Sequence, residues 1–268
     1  MAEECYDALI LDVDGVIWLE GTLIDENIRV VREAVDKGVQ VVFLTNNATR
    51  SRKTYSILLS NAIQRDIGVE TIVNSAYSAA EWLLREKGPS RVYVVGEEGL
   101  VEELNNAGHT IFGVTEWQYA DTVVVGLDRH LNYRKLMAAH KALTENNAFF
   151  LVTNRDPAYP VAEGTIPGAG ALVSFLETST GRKADYNAGK PGQWILDLAL
   201  EKAGRPRNPL LVGDRMEIDI EMALARGIDS LLVLTGVTKT PPSEPKGFKV
   251  SESLGKAVDE GLVSLCRG

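Results

Sequence analysis

The chain has 268 residues, 45% hydrophobic and 24% charged, with 28 Lys plus Arg against 37 Asp plus Glu. Such a composition builds buried sheets and excludes a disordered chain, and the length favours two compact units. A net charge of -9 repels the backbone of a polymeric nucleic acid, whereas a local cation can still draw a small anion into one cleft. The N-terminus lacks the basic start and apolar stretch of a signal peptide, and no apolar run approaches a membrane span, so a cytoplasmic location without a membrane partner is expected. Cys5 and Cys266 stand near opposite ends in no metal or redox spacing and read as reduced thiols.

In chain order, ALIL at 8–11 is a β-branched apolar run that predicts a first strand. DENIRVVREAVDKG follows with Ile28, Val31 and Val35 at helical spacing, Asp25 able to cap its start and Gly38 able to stop it. VQVVFL at 39–44 is the second strand, and TNNATRS at 45–51 turns into a helix beginning near Ser51. Further strands are expected from Arg91, Thr122, Phe149, Leu210 and Ser230, and further helices over 75–87, 100–107, 133–146, 169–178, 193–203 and 218–226. Residues 238–247, TKTPPSEPKG, read as an exposed loop. This alternation predicts an α/β fold with a parallel sheet covered by helices.

Three strands run into polar residues where the chain must turn: Asp12 and Asp14 after ALIL, Thr45, Asn46 and Asn47 after VVFL, and Asp214 after LLVG. In an open parallel sheet such positions converge on one crevice at the carboxyl ends of the strands. DVDGV is not an EF-hand loop, because Ile17 and Leu23 stand where that loop needs Gly and Glu. If the strand stays extended, the side chains of Asp12 and Asp14 point the same way and offer hard oxygen donors suited to Mg²⁺. The TNN turn can hold a phosphate through a hydroxyl and backbone N–H groups, or be no more than an Asx-rich helix cap. Lys190 in AGKPG sits near a helix start; Pro191 and Ala184 exclude a Walker A loop, and GAGALV at 168–173 lacks the last Gly of a dinucleotide fingerprint. In GDRMEIDI at 213–220, Asp219 follows Asp214 by about one helical turn.

DVDGV, TNN, GKP and GDRMEIDI resemble the four motifs of the haloacid dehalogenase superfamily, in its NagD-like, p-nitrophenylphosphatase branch (subfamily IIA), over essentially the whole chain. The resemblance implies a Rossmann-like doubly wound parallel sheet core with a large inserted α/β cap domain. The core is placed at 1–78 and 187–268 and the substrate-selecting cap at 79–186. TNRDPAYPVAEGTIPGAGALV from Thr153 is similar to the cap segment of these phosphatases.

The implied activity is hydrolysis of small phosphate monoesters with Mg²⁺ through an aspartyl-phosphate. The family's substrates include phosphoglycolate, p-nitrophenyl phosphate, pyridoxal phosphate and nucleotide or sugar phosphates. Carried over by position, Asp12 is the nucleophile, Asp14 the general acid and base, and Lys190 the cation that balances charge. Thr45, Asn46 and Asn47 hold the phosphate, and Tyr159 falls where relatives choose the leaving group. Asp12, Asp14 through its carbonyl, Asp214 and Asp219 through a water form the metal site. Ile218 departs from the Thr of many relatives. Similar proteins form homodimers through the cap. A dehalogenase of the same superfamily is the alternative, but it needs neither Asp14 nor an acidic cluster at Asp214. A catalytically silent binding protein is expected to lose one of these charged groups, and all are present.

Overall fold

The computed structural model describes residues 5–161 and 163–266; the acidic opening, residues 1–4, and Ala162 in the cap-like segment lie outside them. Among the described residues the chain divides into two compact units, one spanning residues 5–45, 55–73 and 196–266, the other residues 46–54 and 74–195. Residues 74–78, 187–195 and 46–54 therefore belong with the second unit, together with 79–186.

The first unit begins with β1 (Ala8–Asp12), a short hairpin of β2 (Trp18–Leu19) and β3 (Thr22–Leu23), α1 (Asp25–Asp36), β4 (Gln40–Thr45), most of α2 (Arg52–Ile63) and β5 (Ile72–Asn74). The later part of the chain adds the end of α7 (Gln193–Lys202), then β13 (Pro209–Gly213), α8 (Glu221–Arg226), β14 (Asp229–Val233), β15 (Lys249–Ser251) and α9 (Leu254–Asp259). Six strands form one sheet in the order β15-β14-β13-β1-β4-β5, parallel from β15 to β4. β1 and β13 are buried along their whole length, which is why they read as unbroken apolar runs rather than alternating ones. The strand order reverses direction at β1, so right-handed crossovers place helices on both faces.

The second unit contains α3 (Ser75–Lys87), β6 (Arg91–Val95), α4 (Glu98–Asn106), β7 (Thr110–Phe112), β8 (Thr122–Val125), α5 (Tyr133–Glu145) and β9 (Phe149–Val152). An antiparallel hairpin of β10 (Ala158–Val161) and β11 (Gly164–Pro167) follows, then α6 (Ala169–Thr180) and β12 (Tyr186–Asn187). Its sheet is parallel throughout, in the order β12-β9-β8-β6-β7. Each unit has its own apolar core; in the second, Trp82 stacks on Tyr186 and Phe149 with ring centroids 4.0 and 5.5 Å apart.

Three local expectations are corrected. Asp25 does not cap α1: it lies inside the first turn, Ile24 holds the cap position without a side-chain bond, and Asp25 and Glu26 instead face the positive end of the helix dipole. The helix expected over 218–226 begins earlier and irregularly, with one π-helical turn at Met216–Ile220 leading into α8.

The third concerns the cysteines, which are joined. Tyr6 N–H donates to the Ser264 carbonyl at 2.8 Å and Cys266 N–H to the Tyr6 carbonyl at 3.0 Å, drawing the two ends alongside each other. Cys5 and Cys266 consequently lie 4.9 Å apart at Cα and form a disulfide, and no described cysteine remains a thiol.

Candidate active site

The sheet order of the first unit makes β4, β1 and β13 neighbours, so Thr45, Asp12 and Asp214 emerge from adjacent carboxyl ends. Asp12 pairs in register with Leu44, one residue before Thr45, and both Asp12 and Thr45 are buried. Asp214 follows β13 directly. The π turn brings Asp219 back toward it: Asp219 N–H donates to the Arg215 carbonyl at 2.9 Å, and its own Oδ2 accepts from Arg215 N–H at 3.2 Å. One carboxylate oxygen from each of Asp12, Asp214 and Asp219 lies within 4.8 Å of the others, all three residues being buried.

Main chain walls this acidic centre. A Cβ on Gly213 would fall 2.3 Å from Asp219 Cβ, one on Gly15 2.5 Å from Asp214 Oδ2, and one on Gly236 1.9 Å from that oxygen. Gly15 also takes φ +88°, a turn conformation that side-chain-bearing residues rarely adopt. Val13 N–H donates to Asp12 Oδ1 at 2.8 Å and so fixes the facing of that carboxylate.

Asp14 departs from the extended-strand expectation. β1 ends at Asp12, the chain turns at once with Ile17 N–H donating to the Val13 carbonyl, and the Asp14 carboxylate is not one of the three clustered acids. Trp18 Nε1–H donates to Asp14 Oδ1 at 2.9 Å, while Gly15 N–H donates to the Trp18 carbonyl at 2.7 Å. The β2–β3 hairpin therefore closes back on the turn that carries Asp14. Trp18 itself stacks over Tyr55.

Asn46, Asn47, Tyr159 and Lys190 come together within the second unit. Asn46 grips the Lys190 backbone twice, its Oδ1 accepting from Lys190 N–H at 2.8 Å and its Nδ2 donating to the Lys190 carbonyl at 3.2 Å. Asn46 Nδ2 also lies 3.0 Å from Asp156 Oδ2. The Asn46 carbonyl accepts from Ser75 Oγ and Asn154 Nδ2. Asn47 Nδ2 donates to the Tyr159 hydroxyl at 3.1 Å, and its Oδ1 takes the Thr49 N–H in an Asx turn. Lys190 is 3% exposed, unlike most lysines at helix starts.

The loop that holds Asn154 and Asp156 is anchored in turn through Arg155, which pairs with buried Glu177. Burial alone would raise the Glu177 carboxyl, but hydrogen bonds from Arg155, Lys183 and Ala184 N–H outweigh it and hold it at about 2.

The motifs did not point to Asp156, Trp18 or the segment after β14. Thr235 carried a usable signal, since the apolar run SLLVL leads into a polar residue, as LLVG leads into Asp214 and VVFL into Thr45.

Residues 9–110 match the family model described as haloacid dehalogenase-like hydrolase, and residues 187–257 match one described as HAD-hydrolase-like. Phosphoglycolate phosphatase 2 of Arabidopsis thaliana is 36% identical over 97% of this chain and 93% of its own length. The chain belongs to the haloacid dehalogenase-like hydrolases. This hydrolase is also 35% identical to the 5′-nucleotidase YutF of Bacillus subtilis, over 87% of this chain and 89% of that one. Among solved structures, p-nitrophenyl phosphatase from Archaeoglobus fulgidus superposes with a TM-score of 0.84 at 31% identity, covering 96% of this chain and 100% of the other. The hydrolase thus falls in the NagD-like, p-nitrophenylphosphatase branch, and it is a phosphoric monoester hydrolase.

Proposed function

We propose that this phosphatase hydrolyses small-molecule phosphate monoesters through an aspartyl-phosphate on Asp12, with Mg²⁺ held by the carboxylates of Asp12 and Asp214, the carbonyl of Asp14 and, through a water, Asp219. The observation that carries the reading is the approach of three buried carboxylates to within 4.8 Å. Like charges crowded out of water are costly unless a cation lies among them, and an all-oxygen set suits a hard divalent ion. Bound there, Mg²⁺ supplies positive charge that offsets the repulsion between a carboxylate nucleophile and a phosphate dianion.

The remaining steps belong to side chains. Asp12 attacks phosphorus while Asp14, oriented by Trp18, delivers a proton to the leaving oxygen; Asp14 then takes a proton from the water that cleaves the aspartyl-phosphate. Thr45 and the Asn46–Asn47 backbone hold the phosphate, and Lys190 balances its charge. Residues 79–186 act as the cap, with Tyr159 among the groups that select the leaving alcohol. Its candidates are the phosphoglycolate, nucleotide and p-nitrophenyl phosphate types on which the relatives' names draw.

Purified protein assayed against a panel of phosphate monoesters is expected to release phosphate with Mg²⁺, to lose activity in EDTA and to regain it on adding Mg²⁺ back. Release from none of the panel, or release indifferent to the chelator, would sink the reading.

A homodimer through the second unit is supported by three exposed apolar side chains on two helices that pack together: Tyr133 and Met137, one turn apart on α5, and Phe175 on α6 are 77%, 40% and 44% exposed. Light scattering is expected to give twice the 29.2 kDa chain mass, and Tyr133→Glu with Phe175→Glu to give one chain mass. A monomeric wild type at every concentration would rule the dimer out.

Among the described residues no helix is long and apolar enough to cross a membrane. A cytoplasmic location is part of the proposal, checked by cell fractionation; finding the protein in a membrane or secreted fraction would refute it.

A further inference from the structure

The loop leaving β14 reaches both halves of the acidic centre. Thr235 Oγ1 donates to the Gly15 carbonyl and Val237 N–H to Asp214 Oδ2, both at 2.5 Å. Thr238 N–H donates to the Asp214 carbonyl at 3.1 Å. Between them, Gly236 lies so close to Asp214 that a Cβ there would overlap the carboxylate at 1.9 Å, and its Cα would stand 3.0 Å from a Cβ built on Gly15. Gly15 is thus held through both peptide units that flank it: its N–H, in the unit it shares with the Asp14 carbonyl, donates to the Trp18 carbonyl, and its own C=O, in the next unit, accepts from Thr235. The first bond sets where the Asp14 carbonyl faces, because that carbonyl is coplanar with the Gly15 N–H, and the second restrains the Gly15 dihedrals that join the two units.

We infer that residues 235–238 are a positioning element for the cation site, with the Thr235 hydroxyl setting the Asp14–Gly15 turn and the Val237 N–H setting the Asp214 carboxylate. The inference rests on the metal reading above. Thr235 touches no reacting atom; it acts through the donors it orients. Removing a group that orients metal ligands characteristically costs about 10–100-fold in metal affinity. Thr235→Val keeps the side-chain shape and deletes the hydroxyl, so the loss is expected in metal binding rather than in packing.

The test is Mn²⁺ binding to metal-free protein, read by titration calorimetry and by electron paramagnetic resonance without substrate. Thr235→Val is expected to bind Mn²⁺ about tenfold more weakly than wild type, and Thr235→Ser, which restores the hydroxyl, to recover most of that loss. In assays with substrate, the Mg²⁺ concentration for half-maximal rate should rise by a similar factor in Thr235→Val, while the rate at saturating Mg²⁺ changes less. If Thr235→Val does not fold, Thr235→Ala carries the same comparison with Thr235→Ser.

Equal Mn²⁺ affinity in wild type and the hydroxyl-less variant, or no recovery in Thr235→Ser, overturns the inference while leaving the metal site standing. A wild type that binds no Mn²⁺ or Mg²⁺ overturns the metal reading itself and this inference with it.

Discussion

Asp12→Asn is expected to abolish phosphatase turnover while the protein stays folded. The amide has the size of the carboxylate and can still accept the Val13 N–H, so the end of β1 should be undisturbed. What it lacks is an anionic oxygen able to attack phosphorus. Deleting a covalent nucleophile elsewhere costs roughly 10⁶ in rate, so a fall of at least about 10⁴-fold in kcat is the expected reading here. The same change removes one of three clustered negative charges, so without Mg²⁺ the variant should melt no lower than wild type. Phosphate release and thermal melts on one preparation test both arms. Near-native turnover by Asp12→Asn would remove Asp12 from the nucleophile's role.

Breaking the Cys5–Cys266 disulfide is expected to produce the largest loss of stability from any single covalent change. The bond spans 261 residues, and closing so long a loop restricts the unfolded chain by about 5 kcal/mol in the chain-entropy model. Spread over a protein of this size, that amounts to a fall in Tm on the order of 10 °C. Cys5→Ser, Cys266→Ser and the double variant should lose the same amount, because each removes the same bond. Activity at ambient temperature should persist, since the cysteines lie at the ends of the chain and belong to none of the contacts described around Asp12. Thiol titration of the unfolded protein settles whether the bond is there: two reactive thiols without reductant, or an unchanged Tm in the variants, would contradict it. With the cytoplasmic location proposed above, such a bond fits the interior of a hyperthermophile, where structural disulfides persist.

Much of the fold was legible because its central strands are covered on both faces and show as apolar runs. ALIL, VVFL, TVVV, FFLV and LLVG all became strands of the two parallel sheets. The strands that escaped notice were β2, β3, β5, β7, β12 and β15, two or three residues each, too short to display a period, and the β10–β11 hairpin, whose prolines argue against a strand. The approach of Asp12 to Asp214 was legible from strand ends, since adjacent carboxyl ends in a parallel sheet must meet, and that of Asp219 from its place about one helical turn after Asp214. The facing of Asp14 was not, because the turn beginning at Val13 breaks the alternation on which that expectation relied. Nor was the pairing of the cysteines, which depends on how the two chain ends align beside β1, a contact between residues at opposite ends of the sequence. The membership of residues 46–54 in the second unit likewise follows from side-chain bonds such as Asn46 to Lys190 and Arg52 to Glu103, which no local pattern announces.

The glycine walls carry an evolutionary consequence. Because Gly15, Gly213 and Gly236 press bare backbone against the acids, almost any mutation there adds atoms where none fit, and the proposed catalytic site has little room to drift. The second unit presents polar groups on ordinary side chains, among them Tyr159 and Asn47, which single codon changes can swap without disturbing a peptide unit. Descendants of this chain would therefore be expected to acquire new substrates by altering that half, with the chemistry passed on unchanged.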